Sequence, residues 1–331
     1  MEPENISKTE TAINIITIGT SAGGITAVSK LLATFSSNIN AAIFIVIHLS
    51  KNSMTDVILN IIQKNSRLRC LIPEDKQPIE NNLVYLAPAD HHMILEKGIV
   101  NIKKGAFENH WRPSIDVLFR SAAVAYTSCV TGIILTGLLD DGTSGMHAIK
   151  RSGGLCIVQD PNEADFPDMP NSVLRTLEVD YKSTINEMSY ILYDLYSRPE
   201  CDNTNVPADI RFKAEITRVM SSNLEDLLKI GEPTSFTCPD CGGALTRYLN
   251  NVLPQYRCYT GHTFTQKILE DEQLTGIEES LWVAIRMMEE RKNLFDMPDY
   301  ETGELKYQKA DQLQKHILRL RNMLMDLGRN T

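Results

Sequence analysis

Short apolar runs alternate with stretches of helical periodicity across residues 12–160. Ile13 to Ile18 is a β-branched run that ends in glycine, and Ile25 to Phe35 follows with apolar positions at helical spacing. Ala41 to Ile47 is a second continuous apolar run of strand length. Leu83 to Ala87 and Ile94 to Ile102 read as strands, with a hairpin around Lys97-Gly98. Arg112-Pro113-Ser114 opens a helix, since proline suits a first turn; Ile115, Leu118, Phe119, Ala122 and Ala123 line one of its faces. Cys129 to Thr136 is a strand, Ser144 to Arg151 a helix and Leu155 to Gln159 a strand. This alternation predicts an α/β domain: a doubly wound, mostly parallel sheet with helices on both faces.

Residues 170–196 read as one or two helices that close the domain. Arg198 to Asp209 is polar with two prolines, which marks a linker. The expected divisions are a flexible N-terminus (1–11), a catalytic domain (12–197), a linker and helix (198–232), a cysteine-bearing segment (233–268) and a helical tail (269–331). In the tail, Ala310, Leu313, Ile317, Leu320, Leu324 and Leu327 alternate spacings of three and four. The pattern spans under three heptads, so a helical hairpin is expected rather than a long coiled coil.

Composition narrows the classes. Of 331 residues, 43% are hydrophobic and 23% charged, as in an ordinary globular protein. No apolar run reaches 18 residues, so no direct membrane insertion is expected. The polar opening MEPENISKTE does not read as a signal or transit peptide. The net charge of −9 is spread over both halves, which argues against a nucleic-acid partner. Four of the seven cysteines (Cys70, Cys129, Cys156, Cys201) are isolated in sequence, and this usage points to a cytoplasmic, reducing setting.

Gly19-Thr20-Ser21-Ala22-Gly23-Gly24 lies between an expected strand and an expected helix, the context in which G-x-S-x-G exposes a nucleophilic serine. The competing readings are a phosphate-binding glycine loop, whose spacing does not fit, and a structural turn. His48 follows the next strand and so falls at the same carboxyl edge, where α/β proteins bind ligands. A serine nucleophile needs an adjacent base, and the histidine supplies one. The loop Gly137-Leu138-Leu139-Asp140-Asp141-Gly142 follows a third strand. Either aspartate can orient the imidazole on spacing alone, and a helix N-cap is the alternative role. The order Ser, His, Asp differs from that of an α/β-hydrolase.

Gly19-Thr20-Ser21-Ala22-Gly23-Gly24, Ile47-His48, Tyr85-Leu86-Ala87-Pro88, Arg112-Pro113-Ser114-Ile115-Asp116-Val117-Leu118-Phe119, Leu135-Thr136-Gly137, Asp141-Gly142, Gln159-Asp160-Pro161 and Met169-Pro170 occur in order. Together they make residues 12–195 resemble the catalytic domain of the CheB-type chemotaxis-receptor methylesterases. The resemblance implies a Ser-His-Asp triad of Ser21, His48 and Asp141, the aspartate directly before glycine being the one selected. It implies hydrolysis of γ-glutamyl methyl esters on chemoreceptors, deamidation of receptor glutamines in some members, and a receptor methyltransferase in the same pathway. Thr20, Ala22, Gly137, Leu138 and Arg112 are the candidates for the oxyanion and substrate region. Leu138 and Leu139 stand where the family often has methionine and glycine. Many members begin with a phospho-receiver domain; here the catalytic domain begins by about residue 12, so gating by phosphorylation in cis is not expected. A non-enzymatic signalling scaffold and a hydrolase of small esters are the alternatives.

Cys238-Pro239-Asp240-Cys241 is followed, after sixteen residues, by Cys258-Tyr259-Thr260-Gly261-His262. Three thiolates and one imidazole make the closed tetrahedral set of a zinc-ribbon-like site, so structural zinc is expected at Cys238, Cys241, Cys258 and His262, with no cofactor for catalysis. Three reduced cysteines packed as small hydrophobes are the plain alternative. With the triad on a separate core, chelation is expected to leave ester hydrolysis intact. His91 and His92 read as rim loop residues, and His110 and Trp111 as candidate lining of the substrate cleft.

Overall fold

The computed structural model describes residues 14–196, 204–219, 224–248, 253–297 and 304–327. The expected flexible N-terminus (1–11) and Cys201 lie outside the described residues. The chain forms β1 (Ile15–Thr20), α1 (Gly24–Thr34), β2 (Ala42–Ile47), α2 (Thr55–Asn65), β3 (Arg69–Leu71), β4 (Gln77–Pro78), β5 (Leu83–Leu86), β6 (His92–Glu96) and β7 (Ile99–Lys103). It continues with α3 (Ile115–Tyr126), β8 (Val130–Ile134), α4 (Thr143–Arg151), β9 (Leu155–Gln159), α5 (Asp168–Thr176), β10 (Tyr181–Ser183) and α6 (Ile185–Tyr196). Then come α7 (Ala208–Val219), α8 (Leu224–Ile230), β11 (Gly231–Thr237), β12 (Ala244–Tyr248), β13 (Gln255–Cys258), β14 (Thr263–Thr265), α9 (Gln266–Asp296) and α10 (Glu304–Leu327).

The main sheet has seven strands in the order β10-β9-β8-β1-β2-β5-β3, and every adjacent pair is parallel. β1 and β2 are buried along their whole length, as continuous apolar runs in a doubly covered sheet must be. One face packs Ile16 and Ile18 against Val28, Leu31 and Leu32 of α1 and Met188 and Leu192 of α6. The other packs Ile15 and Ile134 against Ile115, Leu118, Phe119 and Ala122 of α3 and Ile149 of α4. The chain leaves β1 towards β2 and later returns to its other side as β8, so the crevice over the carboxyl ends of β8, β1 and β2 is a topological switch point.

Two smaller sheets complete this unit. β4, β7 and β6 form an antiparallel ribbon with the expected turn at Lys97-Gly98, between β6 and β7. β11 to β14 form an antiparallel meander. The chain divides into two compact units at residues 266 and 267, so the described residues of the segments drawn from sequence at 198–232 and 233–268, up to Gln266, pack in the same unit as the catalytic fold. The second unit pairs α9 and α10, with Lys292 Nζ donating to Gln314 Oε1 at 2.7 Å and Ile285 and Ile317 buried. No helix among the described residues is long and apolar enough to cross a membrane.

Two sequence readings are revised. Cys129, isolated in sequence and read with the other cysteines as reduced, is disulfide-bonded, whereas Cys70 and Cys156 are free and buried. His92 is not a loop residue: it opens β6 and is buried, its Nε2 donating to Ala106 O at 2.8 Å.

Candidate active site

β1 and β2 run in parallel register with Thr20 opposite Ile47, so Ser21 and His48 are each the first residue past adjacent strand ends. His48 N donates to Thr20 O at 3.1 Å, which ties the two turns together. Neighbouring strands lie about 4.8 Å apart, so the two residues leave the sheet edge on adjacent strand ends. Ser21 is half-buried at the entry to α1. Gly23 caps that helix with a left-handed φ of 76°, a conformation that costs glycine little.

Three hydrogen bonds stitch the serine turn to the loop after β8. Ser21 N and Thr20 Oγ1 both donate to Thr136 O, at 3.1 and 2.7 Å, and Thr136 Oγ1 donates to Ala22 O at 3.1 Å. Gly137 N donates to Phe166 O, so this amide is not free to hold an oxyanion. The residue makes room instead: a β-carbon there would lie 3.0 Å from Ser21 Cβ and 2.9 Å from Met169 Cε. Leu138, one residue on, is exposed.

The two neighbouring aspartates separate cleanly. Asp140 Oδ1 accepts from Thr265 Oγ1 at 3.1 Å, whereas Asp141 Oδ2 accepts from His48 Nε2 at 2.8 Å. Asp141 is fully buried, and its other donors are Ile115 N (2.7 Å), Asn109 Nδ2 (2.8 Å), Ser114 Oγ (3.0 Å) and Asp116 N (3.3 Å). Two of these are amides of the first turn of α3, where the helix dipole favours an anion. Burial alone raises the pKa of such a carboxyl; His48, Asn109 and the Ile115 amide outweigh it and hold Asp141 below the usual range. A carboxylate at Oδ2 fixes the proton of His48 on Nε2. His48 Nδ1 is then the basic nitrogen, and it is buried without a hydrogen-bond partner among the described residues.

The imidazole is further fixed by a flat stack on Trp111, with centroids 4.1 Å apart and planes 11° apart. Trp111 and Asn109 belong to a tight turn in which Glu108 and Trp111 exchange backbone bonds at 3.3 and 3.0 Å. The central residues Asn109 and His110 both have positive φ, 53° and 68°, as in a type I′ turn, which places the Asn109 side chain against Asp141. Sequence reasoning found Trp111 only as cleft lining and missed Asn109; an Asn between two strand-like segments was the available turn signal.

Arg112, a candidate for the substrate region, is occupied elsewhere. Its Nε and Nη2 donate to Asp90 Oδ1 and its Nη1 to Gly105 O, and it stacks over Phe107. The guanidinium therefore braces the rim loop.

A second cluster lies in the β11–β14 sheet. One ligand atom each from Cys238, Cys241, Cys258 and His262 falls within a 4.8 Å span. Cys241 Sγ and Cys258 Sγ are 3.7 Å apart, and His262 Nδ1 is 3.6 Å from Cys238 Sγ and 3.5 Å from Cys258 Sγ. A tetrahedral zinc with Zn–S of about 2.3 Å and Zn–N of about 2.0 Å requires S···S of roughly 3.8 Å and S···N of roughly 3.6 Å. The residues fit such an ion. Asp240 Oδ2 lies 3.9 Å from His262 Nε2, on the side where a second carboxylate commonly steadies a ligating imidazole.

A doubly wound, all-parallel sheet with Ser21 and His48 at its carboxyl edge and Asp141 bonded to that histidine defines an α/β class, and comparison with known proteins makes it specific. The model of the CheB methylesterase family matches residues 16–192, and the chain belongs to that family. A Leptospira interrogans protein named "Putative protein-glutamate methylesterase/protein-glutamine glutaminase" is 36% identical over 181 residues, 54% of this chain and 93% of the relative. A Methanosarcina mazei protein-glutamate methylesterase/protein-glutamine glutaminase is 31% identical over 202 residues, 56% of this chain and 55% of that protein. The crystal structure of the Thermotoga maritima CheB methylesterase catalytic domain superposes with a TM-score of 0.53 at 29% identity, covering 55% of this chain and 98% of that one. The β11–β14 sheet lies beyond the family match.

Proposed function

We propose that the chain is a serine esterase that hydrolyses glutamate methyl esters on chemoreceptor-like proteins, releasing methanol, with glutamine deamidation as a related reaction. The observation that carries this reading is the bond from His48 Nε2 to the buried carboxylate of Asp141, which leaves Nδ1 unbonded on a strand end adjacent to that of Ser21. Ser21 Oγ attacks the ester carbonyl while His48 Nδ1 takes its proton. Asp141 holds the ring and stabilises the imidazolium. The oxyanion is received by backbone N–H groups, for which Ala22 and Leu138 are the assigned donors, since the amides of Ser21 and Gly137 are already bonded. Methanol leaves with the proton from His48, and water then clears the glutamyl-enzyme by the reverse transfers.

The substrate class rests on the family and on the names of its members. Methylated glutamates require a methyltransferase upstream, so a receptor methyltransferase is the expected pathway partner, and the cytoplasmic side of the receptor the expected place of action. We assign residues 12–197 as the catalytic segment and 233–268 as the segment that holds a structural zinc through Cys238, Cys241, Cys258 and His262. A fluorophosphonate probe tests the enzyme reading: labelling of Ser21 in the native chain supports it, and no labelling turns the domain into a scaffold. Methanol release from a methylated receptor against release from a small methyl ester tests the substrate. A preference for the small ester would remove the receptor from the account.

A further inference from the structure

The metal cluster and the triad share one brace. Cys258 ends β13 and His262 directly precedes β14, so two of the four ligands bound the β13–β14 turn. Cys258 N donates to His262 O and Gly261 N to Cys258 O, both at 3.0 Å, which closes that turn around the ligand atoms. Thr263, the residue after His262, is bonded to the hairpin beside the triad: Asn109 N donates to Thr263 O at 2.7 Å and Thr263 N to Phe107 O at 3.2 Å. β14 thereby adds a parallel bridge to Glu108. The same hairpin sends Asn109 Nδ2 to Asp141 and lays Trp111 on His48.

Buried charge joins the same two elements. Glu108 Oε2 accepts from Arg120 at 2.7 Å, and Glu108 Oε1 faces Arg257 of β13 at 3.4 Å; all three side chains are buried. Thr265 Oγ1, two residues past Thr263, donates to Asp140, the neighbour of the triad acid. The left-handed backbone at His110 lacks the freedom of a glycine, so the hairpin's position, if not its turn type, depends on what packs against it. Here the surroundings are strands whose turn is built from metal ligands.

We infer that the metal centre of Cys238, Cys241, Cys258 and His262 positions the esterase triad, by holding β14 against the 107–111 hairpin that carries Asn109 and Trp111. The inference rests on the esterase and zinc readings above and goes beyond them: it makes an enzyme whose chemistry uses no metal depend on one. It reverses the expectation, drawn from sequence, that chelation spares catalysis.

The test uses the full chain carrying Trp282→Phe, which leaves Trp111 as the single tryptophan of the two. Zinc content, kcat and KM for methyl-ester hydrolysis, and Trp111 emission are measured before chelation, after it, and after zinc is restored. The expected result is one zinc per chain. Its removal lowers kcat about tenfold with little change in KM, as small misplacements of a base do, and changes the Trp111 emission; zinc restores both. In Asn109→Ala, where the link to Asp141 is already cut, chelation costs less. Unchanged kcat and emission in metal-free protein would overturn the inference, as would protein purified under reducing conditions that holds no metal. Global unfolding on chelation, seen as loss of the far-UV signal, would also overturn it, since the metal would then support the whole fold rather than the hairpin. Emission that follows zinc in a chain that never releases methanol would leave the coupling standing and remove the esterase reading.

Discussion

The imidazole of His48 lies flat on the indole of Trp111, 4.1 Å between centroids and 11° between planes, while its edge is bonded to Asp141. The stack fixes the ring plane and the carboxylate fixes its rotation, so Nδ1 keeps one direction. Aromatic pairs of this kind contribute about 0.5–1.5 kcal/mol beyond area burial. Trp111→Ala should therefore lower kcat by roughly 2- to 10-fold with KM little changed, and Trp111→Phe should recover most of the loss. Steady-state kinetics of both variants check this; equal losses in the two would assign Trp111 to packing alone.

Gly137 is needed for its missing side chain. Gly137→Ala would press a methyl group against Ser21 Cβ and Met169 Cε. Met169 can swing its terminal methyl away, but Ser21 Cβ is fixed by the strand end. The expected outcome is a fall in kcat of about tenfold or more, with a melting temperature near that of the parent. Wild-type kcat in Gly137→Ala would show that the turn tolerates the shift.

Asp116 and Asp141 are buried neighbours joined by Asn109 Nδ2, which donates to Asp116 Oδ2 and Asp141 Oδ1 at 2.8 Å each. Burial, then the charge of Asp141, pushes Asp116 up to about 8. An acid whose pKa rises on folding keeps a proton that the unfolded chain releases. Its contribution to stability is therefore fully present below about pH 4 and is lost as pH climbs towards 8. Urea unfolding of wild type and Asp116→Asn at pH 5, 6.5 and 8 should show the wild type losing ground to the variant as pH rises. A difference independent of pH would mean that Asp116 is ionised throughout.

Glu108 carries the charge that two buried arginines require. Burial raises its pKa, and Arg120 and Arg257 overcome this and bring it down to about 2. Glu108→Ala strands both guanidinium groups in the interior, and breaking a buried pair in this way costs about 3–5 kcal/mol. Urea titration reads the loss directly. A cost below 1 kcal/mol would mean that water already reaches the arginines.

Much of this site can be read from sequence because its parts sit at strand ends. The apolar runs before Ser21 and His48 announce β1 and β2, and their sequence adjacency suffices to put both residues at one edge. Asp140 and Asp141 are equivalent by spacing; the N-terminus of α3 distinguishes them, and only the fold brings it to Asp141. Asn109 owes its position to Thr263, more than 150 positions along the chain, and no local pattern carries such a contact. α2 was not anticipated, although Ile58 and Ile62 are buried at helical spacing within it. β3 and β10 have three residues each, too few for a period to register.

The central claim is that Ser21 is the nucleophile for a glutamate methyl ester. Its most direct test is methanol released from a methylated receptor cytoplasmic fragment by wild type and Ser21→Ala at matched concentration. Wild type should release methanol with multiple turnovers. Ser21→Ala, folded with the same melting temperature, should fall to the uncatalysed level. Equal release by the two proteins would contradict the account.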